Sequence, residues 1–499
     1  MESVKQFVRY EDFGAVGDGE HDDLEAIIAA HGYANAHHLP VKTKADAHYY
    51  IGSAARTAYV ETDVDWNTSR FTIDDRAVQD NTVPCFCVRS TLQAEQIRID
   101  RLSQDAKRLD VRLQHDHLVT VFNDNVRHYI RLGLNVNAGE AAQDTFVLKK
   151  DGMIYGMLDW DHETVTRVEA LPIDEEPLTL RGGVFTTIAN REESKYNYYV
   201  RSIEIHRSRV TVEDVTHYVA GELSHGAPYR GFISAVSCAY FTVRNCFFTG
   251  HKTYWTIGRA GLPVPMGTYD LHANNVVDFH CSDCRVNGIT DNTRWGVIAS
   301  NFCKNIVLER CSFSRLDAHM GVSGEYTIRD CQLGHQGLNA IGHGVMTVEN
   351  TTLYGESLIC FRTDYGSNWR GDVVVKNCKW IPACGRPWSP RLFAVTNAGM
   401  HDFGYPCSMP ETITVEGLYV DDRNAPEDYE GPELFTDPDA PVDGASFTIC
   451  EPRPFPYAPS KAVSVAGFAC FSGKPVHIGA ARKLLKDAQI TVNGVKLQG

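Results

Sequence analysis

Short segments in which apolar and polar residues alternate recur through the second half of the chain. Examples are FTVRNCFF from residue 241, IVLERCSF from 306, YTIRDCQL from 326, MTVENTTL from 346 and VVVKNCKW from 373. Alternation with a period of two is typical of β-strands with one buried face. In each segment a strand is followed by Asn, Asp or Arg, usually then Cys, and then a second short strand. The pattern predicts a repeated strand–turn–strand unit.

The residues after these turns define one column: Cys246, Cys284, Cys311, Cys331, Thr351 and Cys378. The steps are 38, 27, 20, 20 and 27 residues, and such a period with unequal insertions is typical of a solenoid. Stacked coils place equivalent residues above one another at about 4.8 Å. The column therefore predicts an internal ladder of small groups rather than disulfides. The predicted fold class is all-β, a right-handed parallel β-helix, because parallel crossovers have that hand.

The segment YEDFGAVGDGEHDDLEAIIAAHGYAN, residues 10–35, predicts a glycine-permitted turn followed by an α-helix. Asp22 and Asp23 precede the helix as capping residues, and Leu24, Ile27 and Ile28 form its apolar face. This segment resembles the opening of β-helix proteins of the pectate-lyase and polygalacturonase-like superfamily. The resemblance implies that the helix caps the open end of the solenoid. It covers residues 1–75 and the repeats from 180 to 420.

Four regions are expected. Residues 1–92 form the N-terminal cap and the first coils, and residues 179–420 form the main β-helix with a groove. Between them, residues 93–178 contain longer alternating strands, which predict an inserted antiparallel β-domain. Residues 421–499 start with a loop rich in proline and acidic residues and then form a C-terminal capping segment.

Composition excludes several classes of protein. The formal net charge of −15 argues against a general nucleic-acid binder, although a local basic cleft is compatible with it. No apolar run is long enough for a transmembrane helix, and no signal peptide is visible. We expect a cytoplasmic protein, or a secreted one if a leader has been removed. The fifteen cysteines suit buried thiols in a reducing compartment.

Polar residues follow the cysteine column at similar offsets on four consecutive coils. They are Asp291 after Cys284, Asp317 and His319 after Cys311, Asn339 and His343 after Cys331, and Arg362 and Asp364 after Thr351. Residues at like positions on successive coils line one groove, which suits an extended oligosaccharide. Glycosidic hydrolysis needs a proton donor and a second carboxylate. Repulsion between Asp291 and Asp317 on adjacent coils would raise one pKa, so the sequence predicts them as an acid/base pair.

The remaining candidates have binding or orienting roles. His319 and His343 would orient a carboxylate or hold a sugar hydroxyl, and Arg362 would fix a carboxylate of the enzyme or of a uronic acid. The substrate-binding set is Arg294, Trp295, Asn339, Arg362, Asp364, Tyr365 and Trp369, in which the aromatic side chains are candidate sugar-stacking surfaces. Each polar residue also has a structural interpretation, as a turn cap, a tight bend or, for Arg362 and Asp364, a mutual ion pair.

Polygalacturonases carry Asn-Thr-Asp, Asp-Asp, Gly-His-Gly and Arg-Ile-Lys motifs in chain order. This chain is similar in order, with Thr290-Asp291-Asn292, Asp317, Gly342-His343-Gly344 and Arg362. It departs from the pattern at Ala318, where the second Asp would stand, and at Phe361-Arg362-Thr363. The resemblance therefore implies the superfamily and not that enzyme.

We thus expect a glycoside hydrolase that degrades an oligo- or polysaccharide without a cofactor, although the acidic turns leave a calcium ion open. A polysaccharide lyase is the first alternative. It needs a base, His319 or Lys252, and a neutralising Arg362 for a uronate carboxyl. The second alternative is a non-catalytic glycan-binding or tailspike-like protein. A nucleic-acid or membrane partner is not expected, and the oligomeric state, a homo-oligomer included, stays open.

Overall fold

A computed structural model describes residues 6–78, 80–131, 136–193, 197–258, 261–265, 267–362, 365–385, 388–395, 402–436 and 458–497. Most strands of this part of the chain join one large sheet in which each strand pairs in parallel with the next coil. Val307, Thr327, Thr347 and Val374, for example, stand in register on four successive coils. This arrangement confirms the predicted parallel β-helix.

The described elements are one α-helix, α1 (Leu24–His37), two 3-10 helices (Tyr10–Phe13 and Ala480–Lys483) and the following strands. They are β1 (Asp18–Asp22), β2 (Val41–Lys42), β3 (His48–Ile51), β4 (Ala58–Val60), β5 (Val64–Asp65), β6 (Arg70–Asp74), β7 (Phe86–Arg89), β8 (His117–His128), β9 (Glu140–Leu148), β10 (Ile154–Tyr155), β11 (Arg167–Pro172), β12 (Leu178–Arg181), β13 (Val184–Ile188), β14 (Ile203–His206), β15 (Val210–Glu213), β16 (Thr216–Ala220), β17 (Ile233–Arg244), β18 (Phe247–Phe248), β19 (Trp255–Ile257), β20 (Pro263–Pro265), β21 (Leu271–Ser282), β22 (Arg285–Val286), β23 (Val297–Asn301), β24 (Lys304–Glu309), β25 (Ser312–Met320), β26 (Ser323–Arg329), β27 (Gln332–Ala340), β28 (Gly342–Glu349), β29 (Thr352–Leu353), β30 (Ser357–Phe361), β31 (Trp369–Trp380), β32 (Arg391–Ala394), β33 (Thr412–Val420), β34 (Glu433–Phe435), β35 (Ala462–Ala466), β36 (Ala469–Cys470), β37 (Gln489–Val492) and β38 (Val495–Leu497). No helix in the described ranges is long and apolar enough to cross a membrane.

The cysteine column is an internal ladder, as the spacing predicts. Glu309, Arg329, Glu349 and Lys376 are in register, so the residues two positions later stack on successive coils. The thiols at the ladder positions are buried and unlinked. Cys281, which lies near the ladder without belonging to it, has its sulfur 3.8 Å from that of Cys311, well beyond bonding distance. The ladder fills the core without covalent bonds.

The residue before each ladder position bends the chain sharply. Asn245, Asp283, Arg310, Asp330, Asn350 and Asn377 all have φ between 49° and 56°, in the left-handed region. Asn and Asp enter this region more readily than other non-glycine residues. This explains why five of the six turn residues are Asn or Asp. The left-handed residue fixes the point at which each of these coils turns.

The N-terminal turn and helix form as predicted. Gly14 and Gly17 have φ of 97° and 66°. The Asp23 carboxylate accepts hydrogen bonds from the backbone N–H of Val16 at 2.7 Å and of Gly17 at 3.3 Å, and Asp22 accepts one from the N–H of Leu24 at 3.1 Å. One aspartate therefore holds the turn and the other the start of α1. Leu24 on α1 is buried in the same hydrophobic cluster as the β-helix interior.

An antiparallel sheet, β10-β9-β8-β11, lies within the segment predicted as an insertion and has its own hydrophobic cluster. It docks on the β-helix through buried charges. The Lys304 ammonium of β24 is 1% exposed and lies 2.6 Å from Asp144 Oδ1 and 3.2 Å from Asp159 Oδ1. His343 Nε2 lies 2.7 Å from the same Asp159 oxygen. Burial raises the pKa of Asp159, but the charges of Lys304 and His343 outweigh it and hold the pKa below its usual value.

Replacing Lys304 with Met tests this docking contact. The change removes the ammonium from two buried carboxylates and leaves Asp159 with His343 alone, so we expect the free energy of unfolding to fall by about 3–5 kcal/mol. Urea denaturation of the full chain at neutral pH measures it, with the exposed Lys486→Met as the matched control. A loss no larger than that of the control would contradict a buried-charge role for Lys304.

Candidate functional site

One sheet of the β-helix presents a polar outer face. Residues in register on its successive strands β14, β17, β21, β23, β25 and β27 are Glu204, Ser234, His272, Ala299, Asp317 and Asn339. Their sequence neighbours Ile233, Leu271, Leu316 and Leu338 belong to the core. Because successive side chains of a strand point to opposite faces, the polar column points outward. The inside–outside alternation thus places His272, Asp317 and Asn339 on one wall.

A cleft of about 260 Å³ lies over this wall. A bulge between Ser300 and Asn301 shifts the register, so that His319 and Met320 both meet the end of β23. The inserted sheet and several loops close the other sides. The lining residues are Arg131, Asn137, Glu140, Tyr198, Arg230, Val236, Tyr269, His272, Asn274, Asn301, His319, Met320 and Tyr365.

The cleft is locally cationic although the chain is acidic. Arg131 and Arg230 line it, while Glu140 is the one carboxylate among its described lining residues. Glu204 forms an ion pair with Arg230 from behind, and Arg230 Nε has no hydrogen-bond partner among the described atoms. Burial lowers the pKa of the Arg230 guanidinium. Two arginine side chains in the lining of a cleft favour an anionic ligand.

Histidines of two coils meet at the floor of the cleft. His319 Nδ1 lies 3.1 Å from Asn301 Oδ1, and Asn301 Nδ2 lies 3.5 Å from His272 Nε2. His272 Nδ1 in turn lies 3.1 Å from Ser234 Oγ. Burial, together with the nearby charge of Arg230, lowers the pKa of His272 to about 3, so this ring is neutral. The Tyr365 ring meets His319 edge-on at 5.4 Å between centroids.

Asp317 lies beside His319 but is occupied by arginines. Arg362 Nη1 donates to both carboxylate oxygens at 2.6 Å, and Arg315 Nη2 lies 3.3 Å from one of them. The side chain is 2% exposed. Burial raises the pKa of Asp317, but the charges of Arg315 and Arg362 outweigh it and hold the pKa below its usual value. The carboxylate that Arg362 fixes is therefore the protein's own.

Asp291 lies in the exposed loop between β22 and β23. Its Oδ1 accepts hydrogen bonds from Thr293, from the backbone N–H at 2.9 Å and from the hydroxyl at 2.7 Å. These bonds lower its pKa, and Arg294 Nε lies 3.8 Å from the other oxygen. In the described part of the chain, Asp291 and Asp317 share no hydrogen-bond or ion-pair partner. The surroundings hold both pKa values below the ordinary value, so they do not favour a pair with one protonated member.

Asn339 near the end of β27 and His343 at the start of β28 lie on consecutive strands. His343 is buried against Asp159 and the Trp160 ring, at the junction with the inserted sheet. His343 therefore makes a docking contact with the inserted region and is not among the residues that line the cleft. This position does not favour the catalytic role expected for it. Asn339 points outward next to Asp317, and its amide donates to the carbonyl of Gln336 at 2.8 Å.

The predicted aromatic surfaces divide into two groups. Trp369 is fully buried in the β-helix core and Trp295 is 8% exposed, so the prediction that they stack on sugars is wrong. Trp369 has the inward phase of β31, whereas Trp295 is covered in a separate cluster with Val297, Ala299 and Tyr269 on the outside of the β-helix. Tyr365 does line the cleft. Arg294 donates to the carbonyl of Gly250 at 2.8 Å, and Asp364 lies outside the described residues.

Sequence reasoning missed Arg131, Tyr198, Arg230, Tyr269, His272 and Asn301. His272 and Asn301 occupy outward positions in register with the predicted site, so the alternation of β21 and β23 carried a signal for them. Arg131, Tyr198 and Arg230 come from separate loops, and no local pattern marks them. Within the described residues, no group of three or more His, Cys, Asp and Glu is arranged to hold a metal ion.

A second groove, of about 820 Å³, runs between the inserted sheet and the β-helix. Asp278 lies in it and accepts hydrogen bonds from the Tyr155 hydroxyl at 2.9 Å and from the Asn305 amide at 3.0 Å. Burial raises the pKa of Asp278, although these hydrogen bonds oppose the effect. Glu325 lines the same groove from β26.

The fold and these two grooves define a parallel β-helix protein with open polar clefts on its outer face. No family profile matches the chain. A capsule-specific depolymerase, directed at the KL64 capsule, from a Klebsiella phage is 28% identical over 121 residues. That alignment covers 22% of this chain and 12% of the depolymerase, so the chain spans a small part of the relative's length.

Solved structures with similar folds extend over nearly the whole chain. The tailspike gp61 of Pseudomonas phage phi297 has a TM-score of 0.47 at 13% identity, covering 94% of this chain and 81% of the tailspike. The surface adhesin PfbA of Streptococcus pneumoniae has a TM-score of 0.49 at 12% identity, covering 95% of this chain and 100% of the adhesin.

Asp317→Asn tests the charge cluster beneath the cleft. The variant leaves Arg315 and Arg362 buried without their anion, and we expect the free energy of unfolding at pH 7 to fall by about 3–5 kcal/mol. Because the folded-state pKa of Asp317 is depressed, its ionised form stabilises the fold above the unfolded pKa. That contribution is lost as the pH falls from about 4 toward the folded pKa.

The difference between wild type and Asp317→Asn should therefore shrink on acidification, as chemical denaturation at several pH values would show. The exposed Asp291→Asn is the control and should change stability little at any pH. A difference that stays constant down to low pH would contradict the assignment.

Proposed function

We propose that this protein binds and cleaves an acidic polysaccharide in the cationic cleft, by elimination next to a uronate carboxylate. The observation that carries the proposal is that His319, Arg131 and Arg230 line one cleft, on a chain whose net charge is −15. The likeness of one segment to a capsule depolymerase supports the coarser function, action on a polysaccharide.

Elimination needs a base and a cation. The base removes the proton from the carbon next to the carboxyl, and the cation stabilises the negative charge that develops on the carboxylate. The electron pair then forms a carbon–carbon double bond as the bond to the leaving sugar oxygen breaks, and that oxygen takes up a proton from the protonated base or from water. In the proposed mechanism His319 is the base, and Arg230, with Arg131, neutralises the carboxylate. Tyr198 and Tyr269 supply aromatic surfaces for the sugar rings.

Two other groups expected to act in elimination are used elsewhere. Arg362 binds Asp317 at 2.6 Å, so it serves the protein's own carboxylate. Lys252 donates from Nζ to the carbonyl of Glu222 at 3.1 Å and does not belong to the cleft lining. Arg230 also pairs with a carboxylate, that of Glu204, but unlike Arg362 it lines the cleft. The cleft therefore offers His319 as base and Arg230 as the neutralising cation.

The test is cleavage of purified KL64-type capsular polysaccharide and of polygalacturonate, followed by ultraviolet absorbance of the unsaturated uronate. We expect His319→Ala to lower kcat by about 10²–10⁴-fold, the usual contribution of a general base. Arg230→Ala should abolish cleavage while the fold, checked by circular dichroism, is retained. His37→Ala and Arg98→Ala, both exposed and distant in the chain, are the controls. Glycan binding without any product would show a binding protein instead of an enzyme.

Hydrolysis is the second candidate, and the raised pKa of Asp278 in the other groove favours it. Asp278 is in register with Asn305 of the next coil, and Glu325 follows one coil later. Two coils separate backbones by about 9.6 Å, close to the carboxylate separation of about 6.5–9.5 Å in inverting glycosidases. Asp278 would protonate the leaving oxygen while Glu325 activates water.

Product analysis on the same polysaccharides separates the two reactions. If hydrolysis occurs, new reducing ends appear without the unsaturated chromophore, and Asp278→Asn lowers kcat by at least about 10²-fold. Asp283→Asn, an exposed aspartate of the same strand-turn region that pairs with Arg310, is the matched control. Unsaturated products that Asp278→Asn leaves unchanged would exclude hydrolysis in this groove.

A further inference from the structure

We infer that Asn301 and His272 are positioning residues that hold the His319 imidazole with hydrogen on Nδ1 and the lone pair on Nε2. The inference rests on the proposed function, in which His319 is the base. It assigns a task to two side chains that have no part in the bond-breaking step itself.

The contact between Asn301 and His319 sets the position of the proton. Asn301 Oδ1 is a carbonyl oxygen and can only accept, so His319 Nδ1, 3.1 Å away, must donate. A neutral imidazole with hydrogen on Nδ1 carries its basic lone pair on Nε2. A base must present that lone pair to its substrate, and the hydrogen bond selects the one tautomer in which Nε2 can serve.

His272 fixes the direction of the Asn301 amide. The Asn301 Nδ2 group can only donate, so His272 Nε2, 3.5 Å away, is the acceptor. Hydrogen on His272 then resides on Nδ1, which donates to Ser234 Oγ at 3.1 Å. Turning the Asn301 amide around would place its carbonyl oxygen against the His272 lone pair. Burial holds His272 neutral, with its pKa at about 3, so it remains an acceptor over the whole working pH range.

The register of the β-helix makes this chain of contacts. His272 and Asn274 of β21 lie over Ala299 and Asn301 of β23, and the bulge at Asn301 brings it beside His319 of β25. The three side chains thus come from three consecutive coils. Each coil is fixed by its backbone ladder, so the contacts need no loop closure to form.

Asp317 and Tyr365 also lie beside His319, and neither replaces the hydrogen bond to the Asn301 amide. Asp317 on the same strand is neutralised by Arg362 and Arg315. Tyr365 presents its ring edge, and Arg131 lies over the Tyr365 ring at 5.4 Å. A neutral amide orients the ring without adding a charge beside it, whereas a carboxylate partner would raise the basicity of the imidazole.

Two substitutions of Asn301 test the inference in the full chain. Asn301→Asp keeps an acceptor but adds a negative charge, so the acidic limb of the kcat/KM profile should move to higher pH by about one unit. Asn301→Leu removes the acceptor, and kcat should fall about 10–100-fold with KM nearly unchanged. The exposed Asn125→Asp adds the same charge elsewhere and should leave the profile in place. A profile that Asn301→Asp does not move would overturn the inference.

Nitrogen NMR of the imidazole provides a readout that needs no activity. We expect the His319 signals of the wild-type protein to show hydrogen on Nδ1, and those of Asn301→Leu and His272→Phe to show a mixture of tautomers. Hydrogen on Nε2 in the wild type would overturn the inference even if the glycan is cleaved. The predicted tautomer together with no cleavage of any tested polysaccharide would support the positioning role and refute the proposed elimination.

Discussion

The parallel backbone ladder between coils is the constraint on which the rest of this structure depends. It sets the spacing of equivalent residues and, through strand alternation, decides which side chains fill the core and which face solvent. A left-handed turn residue before each ladder position returns the chain to the next coil at the same point. Since every coil is held by its two neighbours, polar side chains on the outer face stand at fixed separations without their own supporting core.

The ladder also explains how an acidic chain builds a cationic cleft. The arginines beside the wall form ion pairs with carboxylates whose positions are set by the backbone ladder. Glu204 holds Arg230, and Asp317 holds Arg362 and Arg315. In the first pair the arginine faces the cleft and the carboxylate lies behind it. In the second the carboxylate is enclosed. The sign of the charge at the surface therefore depends on the depth of each partner and not on the total charge.

The cysteine column and the alternating strands were sufficient to predict the β-helix and the inserted sheet, because these depend on local period and on register. The helix at the N-terminal end was predicted from the turn and capping residues of the segment at residues 10–35 and from its resemblance to other β-helix proteins. The position of Asp317 on the outer wall followed from the same register. The roles of Asp317 and His343 could not be predicted from the register. Asp317 is occupied by two arginines from different coils, and His343 by Asp159 of the inserted sheet, and such pairings join residues far apart in sequence. The burial of Trp369 was mispredicted although its signal was local, since Trp369 has the same phase in β31 as the buried Val373 and Val375.

The two grooves present different chemistry from the same scaffold. The first has a histidine, two arginines and one exposed carboxylate, and the second has a carboxyl group with a raised pKa and a further carboxylate two coils away. The first groove therefore favours an anionic ligand more than the second, since like charges in a partly desolvated groove are unfavourable. Under the proposed elimination, a uronate would bind beside His319, because its carboxylate needs the cation that Arg230 supplies in the first groove.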